Sequence, residues 1–252
     1  IVGKSENGSF IASDVPAILK YTRTVYYVDN QEVVELQQDG LRFFSVDEEE
    51  LEKQPVTIDW DANAAEKAGY EHFMLKEIYE QPKTINDTIS PRIKDNDIVI
   101  EELNMSDEEI KEITKIHIVA CGSAYNTGVT AKYVIEGLAR IPVEVDVASE
   151  FRYRDTILQK GNMVIVISQS GETADTLAAL RESKEKGFKV LGIVNVVGSS
   201  IAREADSVMY TWAGPEIAVA TTKAYSAQLT ALYMLAMKFA KVRGTIDQEK
   251  FA

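Results

Sequence analysis

An α/β fold, with a parallel sheet flanked by helices on both faces in three layers and a short β-rich segment ahead of it, is what this 252-residue sequence predicts. Three observations predict it. From about Ala62 onward, short runs of strand length alternate with longer segments of helical period. Those runs are apolar almost throughout, as in strands covered on both faces, instead of alternating with polar residues. Most are followed by a turn of glycine and small hydroxyl residues, the punctuation of a βαβ unit.

The first residues, to about Arg42, read as strands of Val, Tyr and Leu, with turn signals at Asp29-Asn30 and Asp39-Gly40. Ser45 to Asp61 is acidic, holds Pro55 and has little periodicity, so a linker or domain edge is expected, with Asp47 to Glu50 solvated. A helix is expected from Ala62, with Tyr70, Phe73, Met74 and Ile78 at helical spacing. It should stop near Pro82, whose ring removes a backbone donor. Ser106 to Glu109 has the form of a capping box, with Ile110 and Ile113 behind it on one face. Strand-like stretches are then expected at 116–122, 143–149, 163–171, 190–196 and 207–212, separated by helical segments. A last helix carries Leu229, Leu232, Tyr233, Ala236, Phe239 and Ala240 at helical spacing.

Composition excludes several classes of function. A net charge of −13 argues against binding nucleic acid or an acidic membrane surface, because phosphate neutralisation needs a basic face. One cysteine forms no internal disulfide, which fits a reducing cytoplasm, and with two histidines it leaves no set for a zinc site. No metal or cofactor is expected. No apolar run approaches the ~20 residues that span a bilayer. The chain begins at Ile1 and not Met, so it is expected to be a piece of something longer.

Ligands of parallel sheets bind beyond the carboxyl ends of the strands. Three turns fall there: Cys121 to Ala124, Ser168 to Thr173, and Asn195 to Ser200. In the second, a helix start near Gly171 offers free N–H groups and a partial positive charge. Ser168, Ser170 and Thr173 add hydroxyl donors, a set that suits a phosphate held without lysine or arginine. The same hydroxyls are also ordinary helix caps, and from one turn alone both readings stand.

Ser-Gln-Ser-Gly-Glu-Thr-Ala-Asp-Thr at 168–176 resembles the phosphate loop of SIS (sugar isomerase) domains. Further stretches narrow the resemblance: Ala120 to Tyr125, Ser149 to Arg154, Asn195 to Ser200, Ala213 to Ala224, His72 to Pro82 and Phe10 to Ala17. In this order and spacing they resemble the glucosamine-6-phosphate synthase family, the isomerising glutamine:fructose-6-phosphate aminotransferases. The resemblance implies that residues 1–60 are the end of a glutaminase domain plus linker. It makes 61–244 the first SIS domain and 245–252 the start of a link to a second SIS domain. It implies Ser168, Gln169, Ser170 and Thr173 as phosphate ligands. Cys121, Gly122 and Ser123 fall beside the sugar, and Val219 and Thr221 line it from the turn before the last helix. Fructose 6-phosphate or glucosamine 6-phosphate is the implied ligand, and a homodimer the implied assembly.

Two departures stand out. Ala124 occupies a position where the family commonly has Ser, so contact there is through backbone only. The glutaminase cysteine, and the glutamate, lysine and histidine that the family associates with its second SIS domain and tail, are absent. No catalytic residue is therefore expected in this chain, which would bind sugar phosphate without turnover. The alternative is a non-catalytic SIS sensor of sugar phosphate, and a self-contained isomerase ranks last, with only Glu150 and Glu216 as acid/base candidates.

The remaining residues are read more plainly. Cys121 is expected as a packed strand-end cysteine, His117 as structural and His72 as a surface or interface residue. Glu150 and Arg152 stand between a surface cluster and buried ion pairing or a dimer contact, and Arg154 reads as surface charge. Lys223 opposes the dipole of the last helix, so it is either solvated or held in a polar role near a ligand or interface.

Overall fold

Strand periodicity at the start of the chain produces small antiparallel sheets. The computed structural model describes residues 1–6, 8–13, 15, 17–37, 40–58 and 67–247. The start of the expected helix at Ala62, Asp39 of the expected turn and the end of the expected 245–252 link lie outside these residues. The chain divides into two units, Ile1–Phe73 and Met74–Ala252.

In the first unit, β1 (Val2–Ser5), β2 (Gly8–Ile11), β3 (Thr24–Tyr26) and β7 (Val56–Thr57) form one sheet in the order β2-β1-β3-β7. β4 (Glu32–Leu36), β5 (Leu41–Ser45) and β6 (Glu50–Leu51) form another. Val2, Val15, Ile18, Leu19, Val25 and Ile58 make the buried core of this unit. The acidic stretch expected as a solvated linker is partly ordered. Glu50 on β6 accepts two N–H groups from Arg42 at 2.9 and 3.0 Å, and Lys53 pairs with Asp29 and Glu32.

Helix α1 (Phe73–Ile89) does not stop at Pro82 but continues about two turns beyond it. The missing proline N–H leaves the carbonyl of Ile78 without its helical partner. The side-chain amide of Gln81 donates to that carbonyl at 3.1 Å, which removes the main penalty of an internal proline. A short hairpin, β8 (Ile93–Lys94) and β9 (Asp97–Ile98), follows. The expected capping box is present at α2 (Asp107–Lys111): Ser106 Oγ accepts from Glu109 N–H and the Glu109 carboxylate accepts from Ser106 N–H.

The central sheet contains β10 (Lys115–Ala120), β11 (Val143–Val147), β12 (Asn162–Ser168), β13 (Val190–Val194) and β14 (Ser207–Tyr210). Their order is β11-β10-β12-β13-β14, and every pairing is parallel. Strand alternation splits the apolar residues of β12 between two cores. Met163, Ile165 and Ile167 pack with α3 (Gly122–Ala139) and α7 (Lys223–Arg243), through Ala131, Ile135, Leu232 and Phe239. Val164 and Val166 face the other way, toward Phe151 of α4 (Ala148–Tyr153), Leu180 of α5 (Ala174–Glu185) and Ile201 of α6 (Ser200–Glu204). This is the expected three-layer sandwich. Among the described residues, no helix is long and apolar enough to cross a membrane.

Candidate functional site

The strand order brings the carboxyl ends of β10, β12 and β13 side by side, so the turns after them share one edge of the sheet. The turn between β12 and α5 contains several unused donors. Gly171 has φ +69°, a left-handed conformation that lets the chain fold sharply before α5 begins at Ala174. Ser168 is buried at the end of β12. Its Oγ accepts from Gly171 N–H at 3.1 Å and lies 2.8 Å from Thr173 Oγ1. Two hydroxyls that share one hydrogen bond leave one O–H free, so this pair shapes the loop and still keeps a single donor unused. Ser170 is exposed, its Oγ accepting from Glu172 N–H at 3.2 Å, which leaves its hydroxyl proton available. Gln169 Oε1 faces Gln228 Nε2 of α7 at 3.4 Å, while its own Nε2 is buried without a partner. A buried amide donor with no acceptor is uncommon.

The first turn lies on the neighbouring strand. Cys121 occupies the N-cap position of α3, partly buried, and Thr176 Oγ1 of α5 lies 3.9 Å from its Sγ. Gly122 has φ +56° and, with Ser123, is exposed. Ala124 is buried in the core against α3's face of the sheet, where a hydroxyl would need a partner of its own. The third turn turns inward. Asn195, 5% exposed, donates to Gly214 O at 2.8 Å and accepts from Ala213 N–H at 2.7 Å and Thr211 Oγ1 at 3.2 Å. Its side chain is consumed in holding residues 211–214.

Val219 and Thr221 lie on the loop that leads into α7. Val219 is fully exposed, and Thr221 Oγ1 donates to Glu216 Oε1 at 2.8 Å. Burial raises the pKa of Glu216, with the Glu77 carboxylate adding to the effect. The structure thus groups Ser168, Gln169, Ser170 and Thr173 in one turn and ties Cys121 to it through α5. Thr221 bonds within its own loop.

Residues that sequence reasoning passed over support this loop. Glu77 Oε1 of α1 accepts from Ile217 N–H at 2.7 Å and Ala218 N–H at 2.9 Å. Glu80 pairs at 2.8 Å with Lys223, which is 3% exposed. Lys223 is therefore neither solvated nor an unpaired charge opposing α7. Ser226 Oγ donates to Gln81 Oε1 at 2.6 Å. The signal was in the sequence, since Glu77, Glu80 and Gln81 are one helical turn apart, but their partners lie more than 130 residues away.

The charged residues on and around β11 pair with one another. Arg154 pairs with Glu144 at 2.5 Å and Asp146 at 2.7 Å, and Lys115 also pairs with Glu144. The Lys115 ammonium and the Arg154 guanidinium lower the Glu144 pKa to about 2, while burial raises that of Asp146. His117 is buried as expected, and its burial lowers its pKa, keeping the ring neutral near pH 7. His117, Glu144 and Asp146 are close enough to share an ion, but a divalent cation there would meet two fixed cations. Glu150 is exposed, and Arg152 pairs with Asp175 at 3.3 Å on the surface, so neither belongs to a buried ion pair. His72 is exposed.

Comparison with known proteins bears on both fold and site. The SIS domain family matches residues 109–238. The chain is 59% identical over 251 residues to the glutamine–fructose-6-phosphate aminotransferase (isomerizing) of Clostridium acetobutylicum, covering 99% of this chain. It is 57% identical over 251 residues to the protein of the same name from Caldanaerobacter subterraneus subsp. tengcongensis. The chain spans 41% of the length of these curated relatives. Among solved structures, the C-terminal domain of glucosamine-fructose-6-phosphate aminotransferase from Francisella tularensis superposes with a TM-score of 0.70 at 44% identity. That alignment covers 74% of this chain and 52% of the other.

Proposed function

Because the chain belongs to the SIS domain family, we propose that it is the part of an isomerising glutamine–fructose-6-phosphate aminotransferase that holds the sugar phosphate. The observation that carries this reading is the β12–α5 turn. It presents a helix N-terminus, the free hydroxyl proton of Ser170 and one from the Ser168–Thr173 pair, and it holds the buried, unpartnered amide of Gln169. These are neutral donors suited to a phosphate dianion. The phosphate is not the reacting group. Anchoring it fixes the sugar carbons for chemistry performed elsewhere and contributes through positioning.

In this proposal Cys121, Gly122 and Ser123 flank the sugar from α3, and Val219 and Thr221 face it from the loop before α7. Fructose 6-phosphate or glucosamine 6-phosphate is the ligand. Residues 1–60 are the end of a glutaminase domain, 61–244 a first SIS domain and 245–252 the start of the link to a second. The working enzyme is a cytoplasmic homodimer, and the chemical steps belong to segments of the relatives that this chain does not span.

Calorimetric titration tests the reading. The chain should bind fructose 6-phosphate and glucosamine 6-phosphate saturably, and Ser170→Ala should weaken both by about 1.5–3 kcal/mol, the worth of one hydrogen bond to a charged group. No heat of binding at millimolar ligand, or binding indifferent to Ser170→Ala, would contradict it.

A further inference from the structure

The loop from Gly214 to Thr222 has no regular secondary structure, yet its backbone is fastened at several points. Asn195 holds its start through Gly214 O, and Glu216 bonds Thr221 across it. Its far end runs into Lys223, which Glu80 neutralises. The middle is held by one side chain. Glu77 Oε1 accepts the N–H groups of both Ile217 and Ala218, immediately before Val219.

Glu77 is 2% exposed, and its second oxygen, Oε2, is buried without a hydrogen-bond partner. Burying a carboxylate half-satisfied costs stability, and an apolar residue on this helix face would avoid that cost. What the carboxylate does provide is one fixed acceptor oxygen for two adjacent backbone donors. The neighbouring residues of α1 act on the same segment: Glu80 reaches Lys223 and Gln81 reaches Ser226.

The geometry points to Glu77 as the positioning residue of the sugar-side loop, holding residues 214–222 in the shape that presents Val219 and Thr221 to a sugar. Glu77 itself touches no substrate. The inference rests on the proposed sugar-phosphate site and assigns its specificity in two parts. The β12–α5 turn reads the phosphate, and α1, acting through the loop, reads the sugar.

The two parts separate in a binding experiment on this chain. Glu77→Ala should weaken fructose 6-phosphate about tenfold, the loss of two charge-assisted hydrogen bonds spread over a loosened loop. Affinity for inorganic phosphate, which needs only the β12–α5 turn, should change less than about twofold. Glu77→Gln keeps an oxygen acceptor and should recover most of the lost fructose 6-phosphate affinity. Equal weakening of both ligands, or of neither, overturns the assignment. If the unsubstituted chain binds neither ligand, the proposed function has failed instead. Amide hydrogen exchange then decides the fastening alone: Glu77→Ala must speed exchange at Ile217 and Ala218 without affecting β12, and unchanged exchange there overturns it.

Discussion

Gly171→Ala should destabilise the chain by about 3 kcal/mol and abolish sugar-phosphate binding. Two costs add. The φ of +69° is left-handed, where a Cβ meets the following carbonyl at about 1–2 kcal/mol. The new Cβ would also stand 2.0 Å from Ser199 Oγ and 2.5 Å from Ser199 Cβ. Ser199 is fully buried, so it has little room to yield, and overpacking of this kind costs about 1–3 kcal/mol. The turn cannot shift freely, because Gly171 O accepts from Ile201 N–H at 3.0 Å and Glu172 Oε1 accepts from Ser200 N–H at 2.7 Å. A double-mutant cycle with Ser199→Gly separates the terms: the clash should be relieved and the φ cost should remain. Chemical denaturation measures both. A Gly171→Ala chain of unaltered stability would mean that the turn is not shaped as described.

Arg92→Ala should cost about 3 kcal/mol, a fall in Tm of roughly 6–12 °C for a chain of this size. Arg92 is 1% exposed just after α1. Its Nε donates to Glu102 at 2.7 Å, one terminal nitrogen to Thr88 O at 2.6 Å and the other to Tyr210 O at 2.8 Å. Thr88 Oγ1 adds a bond to Thr211 O at 2.5 Å. One guanidinium thus joins the end of α1 to the last strand of the sheet, and its removal leaves two carbonyls and a carboxylate unanswered. Glu102 is about a third exposed and can be hydrated, which keeps the expected loss at the low end for a buried pair. Arg92→Lys should recover only part of it, since an ammonium cannot meet three acceptors in fork geometry. Thermal unfolding distinguishes these outcomes, and an Arg92→Ala chain that melts with the unsubstituted protein would contradict this account.

What the sequence disclosed follows from range. The continuous runs such as Val164 to Ile167 were legible because burial on both faces leaves no polar residue to interrupt them, and Ser106 to Glu109 because a capping box is closed within four residues. The β12–α5 turn was legible because Ser168, Ser170, Gly171 and Thr173 lie together in sequence. Pro82 failed locally: it reads as a helix stop, but the neighbouring Gln81 satisfies the carbonyl that it strands. The other failures came where a partner is distant. Lys223 reads as a charge in the wrong place on α7 until Glu80 is brought to it. Asn195 sits in a polar turn at the ligand edge, yet its side chain turns inward to hold residues 211–214. Glu77 gave no local sign of its two backbone partners.

Amide NMR of the 15N-labelled chain titrated with fructose 6-phosphate locates the phosphate relative to the β12–α5 turn. The account predicts that the largest shifts fall on residues 169–174, with inorganic phosphate reproducing them. A competing location exists in the open cleft of about 410 Å³ lined by Lys115, Glu144, Arg154 and Asn162, although its two cations are already paired with Glu144 and Asp146. Shifts concentrated there, with residues 169–174 unmoved, would contradict the account.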